Sequence, residues 1–305
     1  MQSIVFIGGD GRSGTTLLLR LVNEHPLIWI SDESNFILRL IDLYGHAQVS
    51  TVSEVEKLIK ELYSEKKFID FGIEKSWLAK VLEKKLPLTV EEITNVILLK
   101  NAETHKPSAV IVGIKKPYYT QAPFKFDQFF SHAIFINILR DGRAVFNSKL
   151  KAIHSTSGEF FETDPFIAAM KWSNRIKSFH SFLTKYSNRA ILLSYEKIIK
   201  DELEEMGKVW KFLGITPPPS RSKKGKLNIP PERKHLHPLV NEIPQENRID
   251  AWEKELSKKQ IRRFELIAAN TLLKHGYELK SNFYYPIDYL VFIKFIISMY
   301  AKKVM

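Results

Sequence analysis

The chain has 305 residues, 44% of them hydrophobic, and no cysteine. This length allows a sizeable core in one large domain, and the lack of cysteine excludes disulfides, thiolate metal sites and a thiol nucleophile. The net charge of +12 favours anionic partners or a solvated lysine-rich surface, but no basic run is interleaved with aromatics, so nucleic acid is not an expected partner.

The amino terminus enters an apolar strand within three residues of Met1. It shows neither a charged region followed by a cleavable apolar segment nor a small-residue cleavage site, which are the marks of a secretory signal. The absence of cysteine also suits a reducing compartment. We therefore expect a cytoplasmic protein.

Short apolar runs rich in valine and isoleucine alternate with helical patterns along the chain. Such runs are typical of strands buried on both faces, which predicts a three-layer α/β fold with a mostly parallel central sheet flanked by helices. Ligands are then expected at the carboxyl ends of the strands. The predicted strands are 3–8, 109–114, 133–139 and 190–195, and the predicted helices are 15–24, 54–65, 91–103, 142–152, 165–186, 200–213 and 257–275.

A glycine-rich turn, GGDGRSGTT, joins the first strand to the first helix at residues 8–16. Backbone N–H groups at the start of that helix are expected to bind an anion. Gly9 and Gly14 have the spacing of a Walker loop, but Thr15 stands in place of its lysine, which disfavours ATP hydrolysis. The turn instead offers a guanidinium, hydroxyls and amides to a tetrahedral anion. These groups belong to Arg12, Ser13, Gly14, Thr15 and Thr16.

The stretch GRSGTTLL, followed by NEHP and DES, resembles the 5′-phosphosulfate loop of sulfotransferases that use 3′-phosphoadenosine 5′-phosphosulfate (PAPS). It looks most like the protein-tyrosine sulfotransferase branch and its bacterial relatives. The resemblance covers most of residues 1–275. It implies a P-loop-type fold, PAPS as the sulfuryl donor without a required metal, and a loop that binds the donor with Arg12 also in a catalytic role.

A second motif lies in AIFINILRDGRAVFNSKL, residues 133–150, where a strand ends before Arg140 and a helix carries Ser148. In the family, a strand-end arginine and a serine eight positions later bind the 3′-phosphate, and Arg140 and Ser148 keep that spacing. A guanidinium can bind phosphate oxygens through two parallel bonds. The alternatives are an ion pair of Arg140 with Asp141 and a neutral helix-surface position for Ser148.

Sulfuryl transfer needs a base for the acceptor hydroxyl and a cation for the leaving phosphate. Residues 30–36, ISDESNF, contain two carboxylates, and alignment with the family places Glu33 on the catalytic base. The alternatives are a helix cap for Asp32 and stabilisation of the dipole of the following helix, 35–44, for Glu33.

The cation is expected to be Lys115, which lies two residues before Pro117. In the family, the lysine of a lysine-x-proline sequence at this place is catalytic. Lys116 competes for the role, because consecutive residues of an extended chain point to opposite sides and only one can serve. A surface lysine pair is the other alternative.

Later matches to the family are less complete. The tyrosine that matches Tyr195 touches the nucleotide near its 3′-phosphate in the family, and a core aromatic is the alternative. Ser222, in the Pro- and Lys-rich loop 215–238, is the candidate for a nucleotide-binding serine. The family's late lysine is replaced by His237, which is only partly charged near neutral pH.

The end of the chain, 281–305, reads as an apolar C-terminal helix or tail after a domain formed by residues 1–280. Only fifteen residues, two of them charged, lie between Pro286 and Lys302, which is too short and polar for an ordinary transmembrane helix. The tail is expected to dock on the domain, to form a homodimer, or to contact the inner membrane surface peripherally.

The leading interpretation is a PAPS-dependent sulfotransferase with two partners, the nucleotide donor and a hydroxyl acceptor. The acceptor is a carbohydrate or lipid-linked hydroxyl, a tyrosine or a small molecule, because the segments expected to form its pocket carry no readable motif. Two alternatives remain. A P-loop nucleotide kinase predicts magnesium-dependent ATP binding, and a catalytically inactive nucleotide-binding module predicts binding without turnover.

Overall fold

The computed structural model describes residues 3–152, 162–218, 246–281 and 286–304. Within these ranges the centre of the molecule is a five-stranded parallel sheet with the strand order β2-β3-β1-β4-β5. The strands are β1 (Val5–Gly9), β2 (Ile28–Ser31), β3 (Ile111–Lys115), β4 (Ile134–Leu139) and β5 (Ala190–Ser194).

Helices cover both faces of the sheet. Capping boxes begin three of them, in which the side chains of Thr51, Thr89 and Ser257 each accept a hydrogen bond from the backbone three residues later. The helices are α1 (Thr15–Asn23), α2 (Phe36–Tyr44), α3 (Val52–Leu62), α4 (Lys66–Ile69), α5 (Lys75–Glu83), α6 (Val90–His105), α7 (Pro117–Gln121), α8 (Pro123–Asp127), α9 (Gly142–Leu150), α10 (Pro165–Lys185), α11 (Tyr195–Lys200), α12 (Glu202–Phe212), α13 (Ala251–Glu255), α14 (Lys258–Lys274) and α15 (Pro286–Val304).

The central strand β1 packs on both faces, which explains its continuous apolar sequence. Phe6 lies in an aromatic cluster on one face, with its ring centroid 4.9 Å from that of Tyr119 and 5.3 Å from that of Phe135. Val5 and Ile7 face the other side, where they pack with Leu18 and further residues of α1. Burial on both faces fixes the position of the strand end from which the glycine-rich turn departs.

The register of the parallel pairs aligns the carboxyl ends of the strands along one edge. Ile7 of β1 is opposite Lys115 of β3, and Gly9 of β1 is opposite Ile138 of β4. Ser194 of β5 is in turn opposite Leu139. The residues that follow these strands therefore meet at one edge of the sheet, where ligands bind in open α/β sheets.

The predicted fold class is confirmed, and the four predicted strands and seven predicted helices are present with ends that differ by a few residues. One boundary was wrong in a way that matters for the site: the strand predicted to end at Tyr195 ends at Ser194. The Ser194 hydroxyl accepts a hydrogen bond from the backbone of Lys197 and caps α11. Tyr195 is therefore the first residue of a helix.

Several elements were not among the predictions: β2 and the helices α4, α5, α7, α8, α11 and α13. β2 is only four residues long. The end of the chain, expected as an apolar helix or tail, forms the helix α15, which contacts the domain through ion pairs of Asp288 with Arg262 and Arg263. Among the described residues, no helix has the length and apolar character needed to cross a membrane. The domain boundary at residue 280 stays a prediction.

Candidate active site

The glycine-rich turn forms a closed loop between β1 and α1. The backbone N–H and the hydroxyl of Ser13 both donate to the carbonyl oxygen of Asp10, at 3.0 and 2.6 Å. Arg12 has a positive φ of 76°, and Gly14 precedes α1 with a φ of 98°. No side chain caps the start of α1, so the N–H groups of its first turn, which begins with Thr15 and Thr16, are available to an anion.

We predict that Gly14→Ala lowers the stability of the folded protein. The φ of Gly14 is in the left-handed region, and a Cβ there would lie 2.6 Å from Cδ2 of Tyr195. The left-handed conformation alone costs about 1 to 2 kcal/mol for a non-glycine residue. Thermal unfolding should show a lowered Tm. Gly11→Ala is the matched control, because its Cβ would meet nothing within 4 Å, and an equal loss of Tm in both variants would contradict the prediction.

Arg12, Arg140 and Ser148 come together beside this loop. The guanidinium Nε of Arg12 donates to the hydroxyl of Ser148 at 3.1 Å, and a terminal nitrogen of Arg140 donates to the carbonyl of Arg12 at 3.3 Å. The guanidinium of Arg140 also stacks on the ring of Tyr195, 4.2 Å from its centroid. Four of the predicted donor-binding residues, distant in sequence, therefore lie in contact.

The charge of this cluster favours an anion. Burial and the neighbouring charge of Arg140 lower the pKa of Arg12, because both disfavour its positive charge. The alternative of an ion pair between Arg140 and Asp141 is not what the structure shows, because Asp141 pairs with Arg143 at 2.7 Å and caps α9. Two guanidinium groups, a serine hydroxyl and free helix amides can together bind two phosphate-sized anions.

A second cluster contains Glu33 and Lys115. The ammonium of Lys115 lies 2.8 Å from a carboxylate oxygen of Glu33 and 2.9 Å from one of Asp32, and the Lys115 side chain is only 2% exposed. Lys67 contacts the other carboxylate oxygen of Glu33 at 3.3 Å. Lys116 points elsewhere and donates to the side chain of Asn35 at 2.6 Å, as expected for consecutive residues of an extended chain.

These ion pairs keep both groups charged. Burial disfavours the charge of Glu33, but the adjacent Lys115 and Lys67 outweigh burial and hold the pKa of Glu33 well below its ordinary value. Burial likewise disfavours the charge of Lys115, but Asp32 and Glu33 outweigh it and raise the pKa of Lys115. Glu33 is therefore an anion, and Lys115 a cation, across the neutral pH range.

Neither Asp32 nor Glu33 caps α2 or lies in its first turn. The residue that precedes α2 is Asn35, and its backbone N–H donates to the carboxylate of Glu65 at 2.8 Å. Ser34 accepts a hydrogen bond from the backbone of Phe36. Asp32 and Glu33 lie before the helix and face Lys115 instead.

Sequence reasoning missed three charged residues behind the loop. Asp10 forms ion pairs with Lys149 of α9, at 2.8 Å, and with Arg175 of α10. The position of Asp10 inside the glycine-rich turn was the signal in the sequence that could have identified it as a site residue. Ser222 and His237 lie outside the described residues. Across the described part of the chain, no group of three or more His, Asp or Glu side chains is arranged to hold a metal ion.

Comparison with known proteins identifies the relatives of this chain. The model of the sulfotransferase family matches residues 4–219. Protein-tyrosine sulfotransferase 1 of Danio rerio is 24% identical over 215 residues, which cover 70% of this chain and 53% of that protein. The protein-tyrosine sulfotransferase of Drosophila melanogaster is 26% identical over 214 residues, which cover 70% of this chain and 38% of that protein.

Two solved structures share the fold. The sulfotransferase domain from the curacin biosynthetic pathway has a TM-score of 0.58 at 18% identity, covering 92% of this chain and 99% of that domain. The sulfotransferase domain from the Synechococcus PCC 7002 olefin synthase has a TM-score of 0.59 at 16% identity, covering 92% of this chain and 97% of that domain. At such identities the likeness concerns the fold alone.

The expectation of a cytoplasmic protein is wrong. The relatives that the chain matches, protein-tyrosine sulfotransferases, are Golgi membrane enzymes. The chain spans about half or less of the length of the first two relatives, so the position of its amino terminus says nothing about where the protein resides. The predicted family, in contrast, is confirmed by the match over most of the chain: this protein belongs to the sulfotransferase family.

Proposed function

We propose that this protein transfers a sulfuryl group from PAPS to an acceptor hydroxyl. The observation that carries the proposal is a carboxylate and lysine pair, Glu33 and Lys115, at the same sheet edge as the cationic cluster of Arg12 and Arg140. A base and a cation for the leaving group thus accompany an anion site. Sulfotransferases generally use PAPS as donor, which supports the assignment of that site to the nucleotide.

The donor is bound by residues of the loop and of α9. The amides of Gly14, Thr15 and Thr16 and the hydroxyls of Thr15 and Thr16 bind the 5′-phosphosulfate together with the guanidinium of Arg12. The N–H and the hydroxyl of Ser13 donate to Asp10 instead, so Ser13 shapes the loop. Arg140 and Ser148 bind the 3′-phosphate. Tyr195, which stacks on Arg140, holds that guanidinium in place and contacts the nucleotide. Ser222 remains a proposed contact from the late loop.

Transfer proceeds by in-line displacement. Glu33 accepts the proton of the acceptor hydroxyl, whose oxygen forms a bond to sulfur as the bond from sulfur to the bridging phosphate oxygen breaks. Lys115 donates a hydrogen bond to that bridging oxygen and, with Arg12, compensates the charge of the departing bisphosphate. The low pKa of Glu33 weakens it as a base. A shift of Lys115 toward the donor would raise that pKa, because it removes part of the attraction that lowers it.

Nucleotide binding tests the proposal without knowledge of the acceptor. We expect adenosine 3′,5′-bisphosphate to bind without magnesium, more tightly than ATP with magnesium, in a calorimetric titration. Arg140→Ala should weaken bisphosphate binding about tenfold or more through the loss of a charged phosphate contact. Arg189→Ala is a matched control, because Arg189 also stacks on a tyrosine, 4.3 Å from the ring centroid of Tyr186, at the amino end of β5.

Two outcomes of this titration would overturn the proposal. Preference for ATP with magnesium would assign the loop to a nucleotide kinase. Equal bisphosphate affinity in wild type and Arg140→Ala would show that the arginine cluster does not bind the 3′-phosphate.

The proposal includes a peripheral membrane contact through α15. One side of this helix packs on the domain through Asp288, while Ile287, Leu290, Ile293 and Ile297 are each more than half exposed. Lys294 on this helix is also exposed, and the two lysines near its end, with the chain's net charge of +12, favour an anionic lipid surface.

We predict that the protein sediments with vesicles containing phosphatidylglycerol and much less with phosphatidylcholine alone. Leu290→Lys with Ile293→Lys should abolish this binding, because each change places a charge on the apolar side. Leu203→Lys is the control, since Leu203 is exposed on α12. Absence of sedimentation with either vesicle, or a stable dimer that the double variant dissociates, would contradict the membrane contact.

A further inference from the structure

A buried carboxylate lies inside the loop that is proposed to bind an anion. Asp10 is the one acidic residue among residues 8–16, and its side chain is 1% exposed. One carboxylate oxygen lies 2.8 Å from the ammonium of Lys149, and the other contacts the guanidinium of Arg175. Both oxygens are therefore paired with cations from two different helices, α9 and α10.

The same residue closes the loop through its backbone. The carbonyl oxygen of Asp10 accepts hydrogen bonds from the N–H and the hydroxyl of Ser13. Directly before Lys149 on α9, Ser148 accepts a hydrogen bond from Arg12. Lys149 and Ser148, two consecutive residues of α9, thus contact the loop at Asp10 and Arg12. The backbone of Arg12 is in the left-handed conformation.

Electrostatics alone does not account for Asp10. A carboxylate near an anion site repels the ligand, and taking it out of water together with a lysine is costly. The Lys149 side chain is only 7% exposed, and burial lowers the pKa of Lys149 even though Asp10 attracts its charge. A left-handed arginine is also an uncommon conformation that surrounding contacts must hold. The ion pairs of Asp10 supply such contacts.

We propose that Asp10 is a positioning residue for the donor: its ion pairs with Lys149 and Arg175 hold the loop in the conformation that binds the 5′ side of the nucleotide. The inference rests on the proposed function, since it needs the loop to bind that side. It assigns Asp10 no contact with the reacting atoms. Its effect reaches the nucleotide through Arg12, Ser13 and the amides at the start of α1.

The test compares two nucleotides in calorimetric titrations of wild type and Asp10→Asn. Adenosine 3′,5′-bisphosphate uses the loop, whereas adenosine 3′-monophosphate lacks the 5′-phosphate and does not. We expect Asp10→Asn to weaken binding of the bisphosphate about tenfold and to change binding of the 3′-monophosphate by less than about twofold. Asp127→Asn is the control, because it removes the carboxylate of another partly buried ion pair, with Arg189.

Each other result has a distinct meaning. Unchanged or tighter bisphosphate binding in Asp10→Asn would overturn the inference, because it would leave Asp10 with only a repulsive effect on the ligand. An equal loss for both nucleotides would also overturn it, since it would indicate a general loss of structure. Failure of the wild-type protein to bind either nucleotide would instead refute the proposed function.

A second variant keeps the test decisive if Asp10→Asn does not fold. Arg175 is 31% exposed, and Arg175→Gln leaves the ion pair of Asp10 with Lys149 in place. We expect a smaller loss, about threefold, confined again to the bisphosphate. Equal affinities of Arg175→Gln and wild type for the bisphosphate would then overturn the inference.

Discussion

Replacement of Glu33 by glutamine is expected to lower the rate of sulfuryl transfer by about two to four orders of magnitude. The amide keeps the shape of the side chain but cannot accept the proton of the acceptor hydroxyl. Because Glu33 forms its ion pairs with Lys67 and Lys115, outside the cluster of Arg12 and Arg140, the affinity for adenosine 3′,5′-bisphosphate should change little. The measurement is the release of bisphosphate from PAPS in the presence of an acceptor.

Asp32→Asn is the matched control for this variant. Asp32 is adjacent to Glu33 and contacts the same ammonium of Lys115, at 2.9 Å compared with 2.8 Å. Both variants therefore remove one negative charge beside Lys115, but only one removes the proposed base. If the two variants lose the same activity, the effect comes from the environment of Lys115, and Glu33 is not the base.

The second large effect is expected for Lys115→Met. Loss of one preorganised group that stabilises developing charge typically costs about 10²- to 10³-fold in turnover. The methionine fills a similar volume in this buried position. Asp32 and Glu33 lose a shared partner, but their side chains are 47% and 25% exposed and regain water, so we expect the protein to stay folded. Turnover and thermal unfolding measure the two effects separately.

Lys116→Met provides the comparison for Lys115→Met. Lys116 is the next residue, but its ammonium donates to the side chain of Asn35, whereas that of Lys115 contacts Glu33. We expect less than about a threefold change in turnover from this substitution. A greater loss in Lys116→Met than in Lys115→Met would exchange the proposed roles of the two lysines.

Much of the fold was predictable because local sequence and global structure agree. The runs at residues 109–114 and 133–139 are apolar without alternation, and both form strands buried on two faces. β2 was missed because four residues are too few for periodicity to separate a strand from a loop. Its place at the sheet edge is determined by pairing with β3, which no local pattern contains.

Site residues were predictable where the local backbone conformation of a sequence motif determines their position. Gly14 lies at the start of a helix, where the turn requires a left-handed residue. Lys115, which lies two residues before Pro117, faces Glu33, and Lys116 faces away from it, as consecutive residues of an extended chain do. The partners of Asp10 were not predictable in this way. Lys149 and Arg175 are 139 and 165 positions away, and only the packing of α9 and α10 against the loop brings them together.

Transfer of labelled sulfur from PAPS would show whether the protein moves a sulfuryl group to a hydroxyl. The wild-type protein is incubated with sulfur-labelled PAPS, without magnesium, and with a panel that contains a tyrosine peptide, glycans, a glycolipid and simple phenols. We expect label on a hydroxyl of at least one acceptor, dependent on Glu33 and Lys115. Bisphosphate binding without label on any acceptor, or phosphoryl transfer from ATP with magnesium, would contradict it and identify an inactive binding module or a kinase instead.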